Sequence, residues 1–260
     1  MLMNIESLKW DPTLIKFFGV PASVLPTIKS SSEVYGPINT GPLAGVPLAG
    51  CLGDQQAALV GQQCLNRGQA KATWDPNNYL YMPWRDLSQW QVQALAENAN
   101  DTDGGDVYFV PAFSGLYAPY WQQDARGVIC GISEDTESCH IVRATLEAVC
   151  FQTRDILDAM TKDCKYALSQ LQVDGGMTAN NLLMQLQSSL AGVDVVRPDM
   201  AESTALGAAM VAGAAVGCWD LSTPLSIPGK TFTPQYTEDE RDLKYSKWKM
   251  AVERALGWDI

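Results

Sequence analysis

The sequence contains one histidine, His140, and its seven cysteines, at positions 51, 64, 130, 139, 150, 164 and 218, form no Cys-x-x-Cys pair. A histidine-based metal cage is therefore impossible, and any histidine-dependent triad would hang on a single side chain. Reduced thiols in the cytosol fit this usage better than a disulfide framework. Positive charge is scarce as well. Eighteen Lys and Arg face 29 Asp and Glu, a net charge of −11, and so acidic a surface repels phosphate backbones and anionic lipid. That balance argues against nucleic acid and membrane surfaces as partners. There is no G-x-x-x-x-G-K-[ST] loop and no G-x-G-x-x-G stretch, so neither of those fingerprints supports nucleotide binding. The longest apolar run, Ala205 to Trp219, is too short for a membrane helix. The opening Met1-Leu2-Met3-Asn4-Ile5-Glu6 puts an acidic residue where a secretory signal carries basic ones. The expectation is a cytoplasmic protein without a transmembrane segment, with a mitochondrial surface as the second location.

What is present is enough for a core. Hydrophobic residues make up 47 % of 260 and charged residues 18 %, which excludes general disorder and suits one large domain or two modest ones. The first 45 residues carry many breakers (Pro12, Pro21, Pro26, Gly36-Pro37, Gly41-Pro42) around one short helix near Leu14–Phe18. Val46 to Leu52 reads as a buried strand, followed by Gly53, Asp54 and a helical stretch for which Asp54 is the natural N-cap. Trp74-Asp75-Pro76-Asn77-Asn78 reads as a turn, and Asn98 to Asp106 as a polar loop. Further strands are expected at 107–110, 127–132, 171–173 and 193–196, and helices at 136–162, 179–190, 202–217 and 238–256. Strands alternating with helices predict an α/β sheet with helices packed on it.

Two places could carry chemistry. Asp54 sits just after a buried strand on a glycine-flanked turn, where a sheet edge collects ligands and a carboxylate can take a proton from a substrate hydroxyl. The alternative is a helix cap that touches no ligand. At Asp174-Gly175-Gly176, followed by Thr178-Ala179-Asn180-Asn181, two glycines admit a close ligand and the next helix offers free N–H groups to an anion. The alternative there is an ordinary strand-to-helix turn with a threonine cap. Gly207, the one glycine of 202–209, suits close packing of a helix on its neighbours. His140, within a helical pattern, reads as a half-buried structural residue, and the aromatic residues as core or interface.

Read together, several stretches resemble the FGGY carbohydrate kinases. Gly53-Asp54-Gln55-Gln56-Ala57-Ala58-Leu59 is similar to that family's glycine-aspartate-glutamine turn. Val110 through Trp121 is similar to its glycerol-phosphorylating members, and Gly127 through Glu147 fits its second signature. Asp174-Gly175-Gly176 and Thr204 to Ala209 resemble its nucleotide-side loops. The resemblance implies an actin-like ATPase (ribonuclease H-like) fold, with 1–63 as the last part of the first domain and its connecting helix. It makes 64–222 the second, nucleotide-side domain and 223–260 a terminal linker and helix. It further implies ATP-dependent phosphorylation of glycerol to glycerol 3-phosphate, with Mg2+ carried by the nucleotide phosphates. Asp54 would be the general base, Asp54 and Gln55 would hold glycerol, and Gly176 and Asn180 would lie against ATP or ADP. A second copy or a full-length kinase subunit is the implied protein partner.

The sequence departs from the family pattern in two ways. It begins deep inside the pattern of the first domain, without most of the residues that would grip glycerol. After Lys71-Ala72-Thr73, where the family has a glycine-threonine-glycine phosphate turn, Trp74-Asp75-Pro76-Asn77-Asn78 stands instead, and the second domain is incomplete around 74–106. A proline has no N–H for a phosphate oxygen, an aspartate repels it, and missing central strands leave an open sheet edge. A non-catalytic chain that binds nucleotide or a kinase partner is therefore the alternative to an active kinase, and a chain that does not fold stably is a third reading.

Overall fold

The computed structural model describes residues 2–74, 89–99, 106–200, 202–223, 225 and 227–258. They fall into two units, Met1–Gly61 with Thr204–Pro224, and Gln62–Ser203 with Leu225–Ile260.

The first unit opens with a small hairpin, β1 (Met3–Asn4) antiparallel to β2 (Lys9–Trp10), and a short helix α1 (Pro12–Phe17). Asp11 starts α1: its carboxylate accepts the N–H groups of Thr13 and Leu14, and Pro12 takes the first position, where no N–H is needed. β3 (Ser32–Pro37) and β4 (Pro47–Gly50) form a second antiparallel pair. Helix α2 spans Asp54–Gly61.

The segment from Thr204 completes this unit as most of the helix Ser203–Ala215 (labelled α6 below). It packs at backbone distance. A Cβ on Gly207 would lie 1.7 Å from the Ala57 carbonyl oxygen, and one on Gly50 would lie 2.9 Å from the Ala212 amide nitrogen. Only glycine permits either approach. The sequence reading assigned 204–222 to the second domain. Here that segment belongs to the first unit, because Gly207 and Gly50 let it in against α2 and β4.

The second unit is built on a four-stranded sheet in the order β10-β9-β8-β5. β5 (Gln69–Thr73), β8 (Gln170–Asp174) and β9 (Asp194–Pro198) run parallel, and β10 (Gly229–Phe232) closes the far side antiparallel. Among the described residues β5 has one strand partner, β8. A separate hairpin joins β6 (Tyr108–Val110) to β7 (Val128–Cys130). The helices are α3 (Gln89–Glu97), α4 (Ser138–Cys164), α5 (Asn181–Ala191), the α6 start at Ser203, and α7 (Glu238–Arg254).

The long helix α4 buries Val142, Leu146, Val149, Cys150 and Phe151 at helical spacing. His140 stands in its first turn, where Nδ1 accepts the Glu137 N–H at 2.9 Å. The ring proton is thereby fixed on Nε2, which is buried without a partner among the described residues. This is a structural histidine.

α7 is held on α4 by the buried Asp155 carboxylate, by Arg154, whose guanidinium pairs with Asp242 at 2.6 Å, and by aromatic stacking on Phe151. Asp155 accepts hydrogen bonds from Tyr245, from Trp248 Nε1 at 3.0 Å and from the Lys249 ammonium at 3.0 Å. Phe151 and Trp248 stack at 5.3 Å between ring centroids. Burial pushes the thiol of Cys64 up to about 11 and that of Cys150 well above its ordinary value, so both are inert. All seven cysteines are free thiols.

The α/β class expected from the sequence is the one observed. Strands at β1, β2, β3, β5 and β10 and the helix α3 were not expected. Of the expected turn at 74–78 only Trp74 is among the described residues, and of the expected loop at 98–106 residues 100–105 lie outside them. Among the described residues no helix is long and apolar enough to cross a membrane. We expect Gly207→Ala to destabilise the chain by about 3 kcal/mol, the upper range for overpacking a tight contact, because the obstruction is backbone and cannot rotate away. Urea unfolding of the two proteins side by side measures it.

Candidate active site

In the first unit the chain leaves β4 through Cys51-Leu52-Gly53 and enters α2 at Asp54. Asp54 is the first helical residue and not the cap preceding it: the first carbonyl in the helical ladder belongs to Gly53, which accepts the Ala57 N–H at 2.9 Å. The N-cap expected from the sequence is thus displaced by one residue, and the glycine supplies the turn. The Asp54 side chain is exposed, and its Oδ1 accepts the Gln55 N–H at 2.7 Å. A helix N-terminus favours a negative group at this position. Gln55 is exposed beside it, while Ala57 and Ala58 turn inward and are buried. The arrangement presents a carboxylate and an amide side chain to solvent on a helix start whose opposite face is fixed by packing.

In the second unit the parallel pairing of β5 and β8 sets Thr73 opposite Asp174. Trp74 extends that pairing by one residue, its N–H donating to the Asp174 carbonyl at 3.0 Å and its own carbonyl accepting from Met177 at 3.4 Å. Gly175 follows with φ +96°, and a Cβ there would lie 2.3 Å from the Trp74 carbonyl oxygen. Position 175 needs glycine on both counts. A single 3-10 turn, Gly176–Ala179, leads to Asn180 and α5.

Gly175 and Gly176 are exposed, but Asn180 is only 1 % exposed. Its Oδ1 accepts the Leu183 N–H at 3.0 Å and so caps α5, while its Nδ2 is buried with no partner among the described residues. The cap read from the sequence as threonine is this asparagine. Thr178 instead donates its hydroxyl to the Gly175 carbonyl at 2.8 Å, closing the turn on itself.

The four residues singled out from the sequence thus form two pairs. Asp54 and Gln55 are neighbours on the first unit, and Gly176 and Asn180 bracket one turn on the second. The sequence reading missed the side chain of Asp174. Its Oδ2 accepts from Gln62 Nε2 at 2.8 Å and from the Ser203 hydroxyl at 2.6 Å. Its Oδ1 accepts from the Thr73 hydroxyl and faces the Lys71 ammonium at 3.6 Å. The only sequence signal was an aspartate directly ahead of two glycines at a strand end.

Comparison with known proteins gives this geometry a setting. Residues 54–216 match the FGGY family of carbohydrate kinases, C-terminal domain, and residues 1–61 match the N-terminal domain of the same family. A probable glycerol kinase of Dictyostelium discoideum is 41 % identical over 315 residues, covering 99 % of this chain and 58 % of its own length. The glycerol kinase of Mycolicibacterium gilvum (strain PYR-GCK) is 43 % identical over 312 residues, with 99 % and 61 % covered. This chain therefore spans about 60 % of the length of these relatives. The aligned stretches exceed its own 260 residues, so the relatives also carry residues inside the matched region that it lacks. Among solved structures, Plasmodium falciparum glycerol kinase with ADP superposes with a TM-score of 0.84 at 31 % identity, covering 98 % of this chain and 61 % of that one. A ligand-bound xylulose kinase from Lactobacillus acidophilus reaches a TM-score of 0.80 at 19 % identity, with 97 % and 61 % covered, a likeness of fold. The fold is the actin-like ATPase type.

Removing the cap tests the local reading of Asn180. Asn180→Ala should cost about 1 kcal/mol, the usual value of a lost helix cap, and Asn180→Ser, which keeps a capping oxygen, less than about 0.5 kcal/mol. Urea midpoints of the three proteins decide it.

Proposed function

The chain belongs to the FGGY family of carbohydrate kinases, and from that premise we propose that it acts as a glycerol kinase, transferring a phosphoryl group from ATP to glycerol. The observation that carries this reading is the exposed Asp54 carboxylate at the first turn of α2, in a chain 41–43 % identical over 99 % of its length to proteins named glycerol kinase. Asp54 takes the proton from the attacking hydroxyl as the new O–P bond forms. The bond from the γ-phosphorus to the bridging oxygen breaks and ADP leaves. Gln55, exposed one residue on, holds glycerol by its amide.

On the second unit the nucleotide lies against Gly176, where the turn is exposed and carries no side chain. Asn180 acts from beneath, through the cap that holds the turn to α5 and through its unpartnered Nδ2. Among the described residues no group of three or more His, Cys, Asp or Glu side chains is placed to hold a metal ion. In this reading Mg2+ arrives on the nucleotide phosphates, and the site of action is the cytosol.

One observation favours the second reading, a chain that binds nucleotide, a second copy or a full-length kinase subunit without turnover. The Trp74 N–H, the first after Thr73, is spent on the Asp174 carbonyl, at the point where the sequence departs from the family's phosphate turn.

Glycerol-dependent ADP release by the purified chain, beside Asp54→Asn, separates the two. We expect release that the substitution lowers by at least 100-fold, as removal of a positioned general base does. A folded chain with no release would leave the binding reading in its place.

A further inference from the structure

We infer that Asp174 is a positioning residue, whose carboxylate gathers donors from distant parts of the second unit and thereby fixes the Gly175–Gly176 turn. The link to the turn stands on geometry alone. The further link to nucleotide affinity rests on the function proposed above.

Four donors converge on one buried side chain. Thr73 and Lys71 reach Oδ1 from β5, and Gln62 and Ser203 reach Oδ2. Gln62 and Ser203 are the two ends of the main segment of the second unit. Their side chains lie 3.4 Å apart, 141 residues apart in sequence. The carboxylate therefore closes a very long loop at the same point where it pins the end of β8. With three hydrogen bonds and an ion pair, the Asp174 carboxylate is largely occupied. Its role is to hold, and a metal ion or a substrate proton would have to displace one of these donors to reach it.

What it holds is the turn. Asp174 is the last residue of β8, and its backbone carbonyl also takes the Trp74 N–H. Trp74 in turn accepts from Met177, and the Gly175 carbonyl accepts from Thr178 by amide and by hydroxyl. Asp174 thus ties the leading flank of the turn directly, and the trailing flank is reached through Trp74, whose carbonyl takes the Met177 N–H, in a turn whose two glycines have no side chains to secure them.

The isosteric variant is informative because of one orphan. Gln62 Oε1 is buried with no partner among the described residues. After a flip of the Gln62 amide, the new NH2 of Asp174→Asn can donate to that oxygen, and Ser203 can rotate to accept. Asparagine then keeps most of the network and loses the charge facing Lys71, whereas alanine loses all of it.

The test is amide hydrogen exchange on the full chain, with ADP titration alongside, for the native protein, Asp174→Asn and Asp174→Ala. In Asp174→Ala the amides of Met177, Thr178 and Asn180 should exchange at least tenfold faster while those of Leu186 to Leu190 in α5 stay protected. ADP should bind at least tenfold more weakly. Asp174→Asn should recover most of both effects. Unchanged exchange at 177–180, or equal acceleration throughout the unit, would overturn the assignment. Should Asp174→Ala fail to fold, the same amides in Asp174→Asn should exchange two- to tenfold faster than in the native protein, and equal rates would overturn it. If the native protein binds no ADP, the proposed function fails on that arm while the exchange arm still decides the role of Asp174.

Discussion

The parallel pairing of β5 with β8 is the constraint on which the second unit depends. Thr73 and Asp174, opposite one another in that register, are 101 residues apart in sequence. No local turn can produce such a contact; the two strands are joined by a long crossover that carries α4 and the β6–β7 hairpin. Once they meet, the strand ends, the glycine turn and the start of α5 are determined together. The register also explains why a buried lysine is tolerated: Lys71 lies two residues before Thr73 and faces the carboxylate that the pairing delivers.

This dependence accounts for what could and could not be read beforehand. α4, α5 and α7 were legible from their helical patterning, and the structure adds a Thr237–Glu240 capping box at the start of α7. β8 and β9 were legible as short apolar runs stopped by Gly175 and Pro198. β5 was not. Gln-Ala-Lys-Ala-Thr has no apolar residue larger than alanine, and it is a strand only because β8 supplies the ladder. The same holds for β10, Gly-Lys-Thr-Phe, whose one buried side chain is Phe232. Missing β5 meant missing the side chain of Asp174, since its partners at 71 and 73 come from that strand.

The candidate site was legible in part and for a definite reason. Asp54 and the 174–176 motif stand at strand ends marked by glycine, and glycines that relieve close approaches leave a sequence signal that packing alone does not. The direction of a side chain leaves none. Asn180 and Gly176 read equally as ligand contacts in the sequence, yet one is turned beneath the turn as a helix cap and the other is exposed on it. The threonine that looked like a cap spends its hydroxyl on Gly175 instead. Short polar side chains near a helix start compete for the same few amides, and which one wins depends on the backbone angles of a turn only four residues long.

The departure at Trp74 can be weighed the same way. A backbone that binds phosphate must leave successive N–H groups pointing into open space. Trp74 does the reverse: its N–H and its carbonyl are both consumed by the 174–177 segment, and its side chain is buried. Among the described residues beside β8, the exposed backbone is that of the glycines at 175 and 176, with the Asp174 network beneath them. A turn whose tip carries no side chains derives its shape from what anchors it. In this chain that burden falls on one carboxylate together with the glycine that position 175 requires, and the fidelity of the turn should follow both.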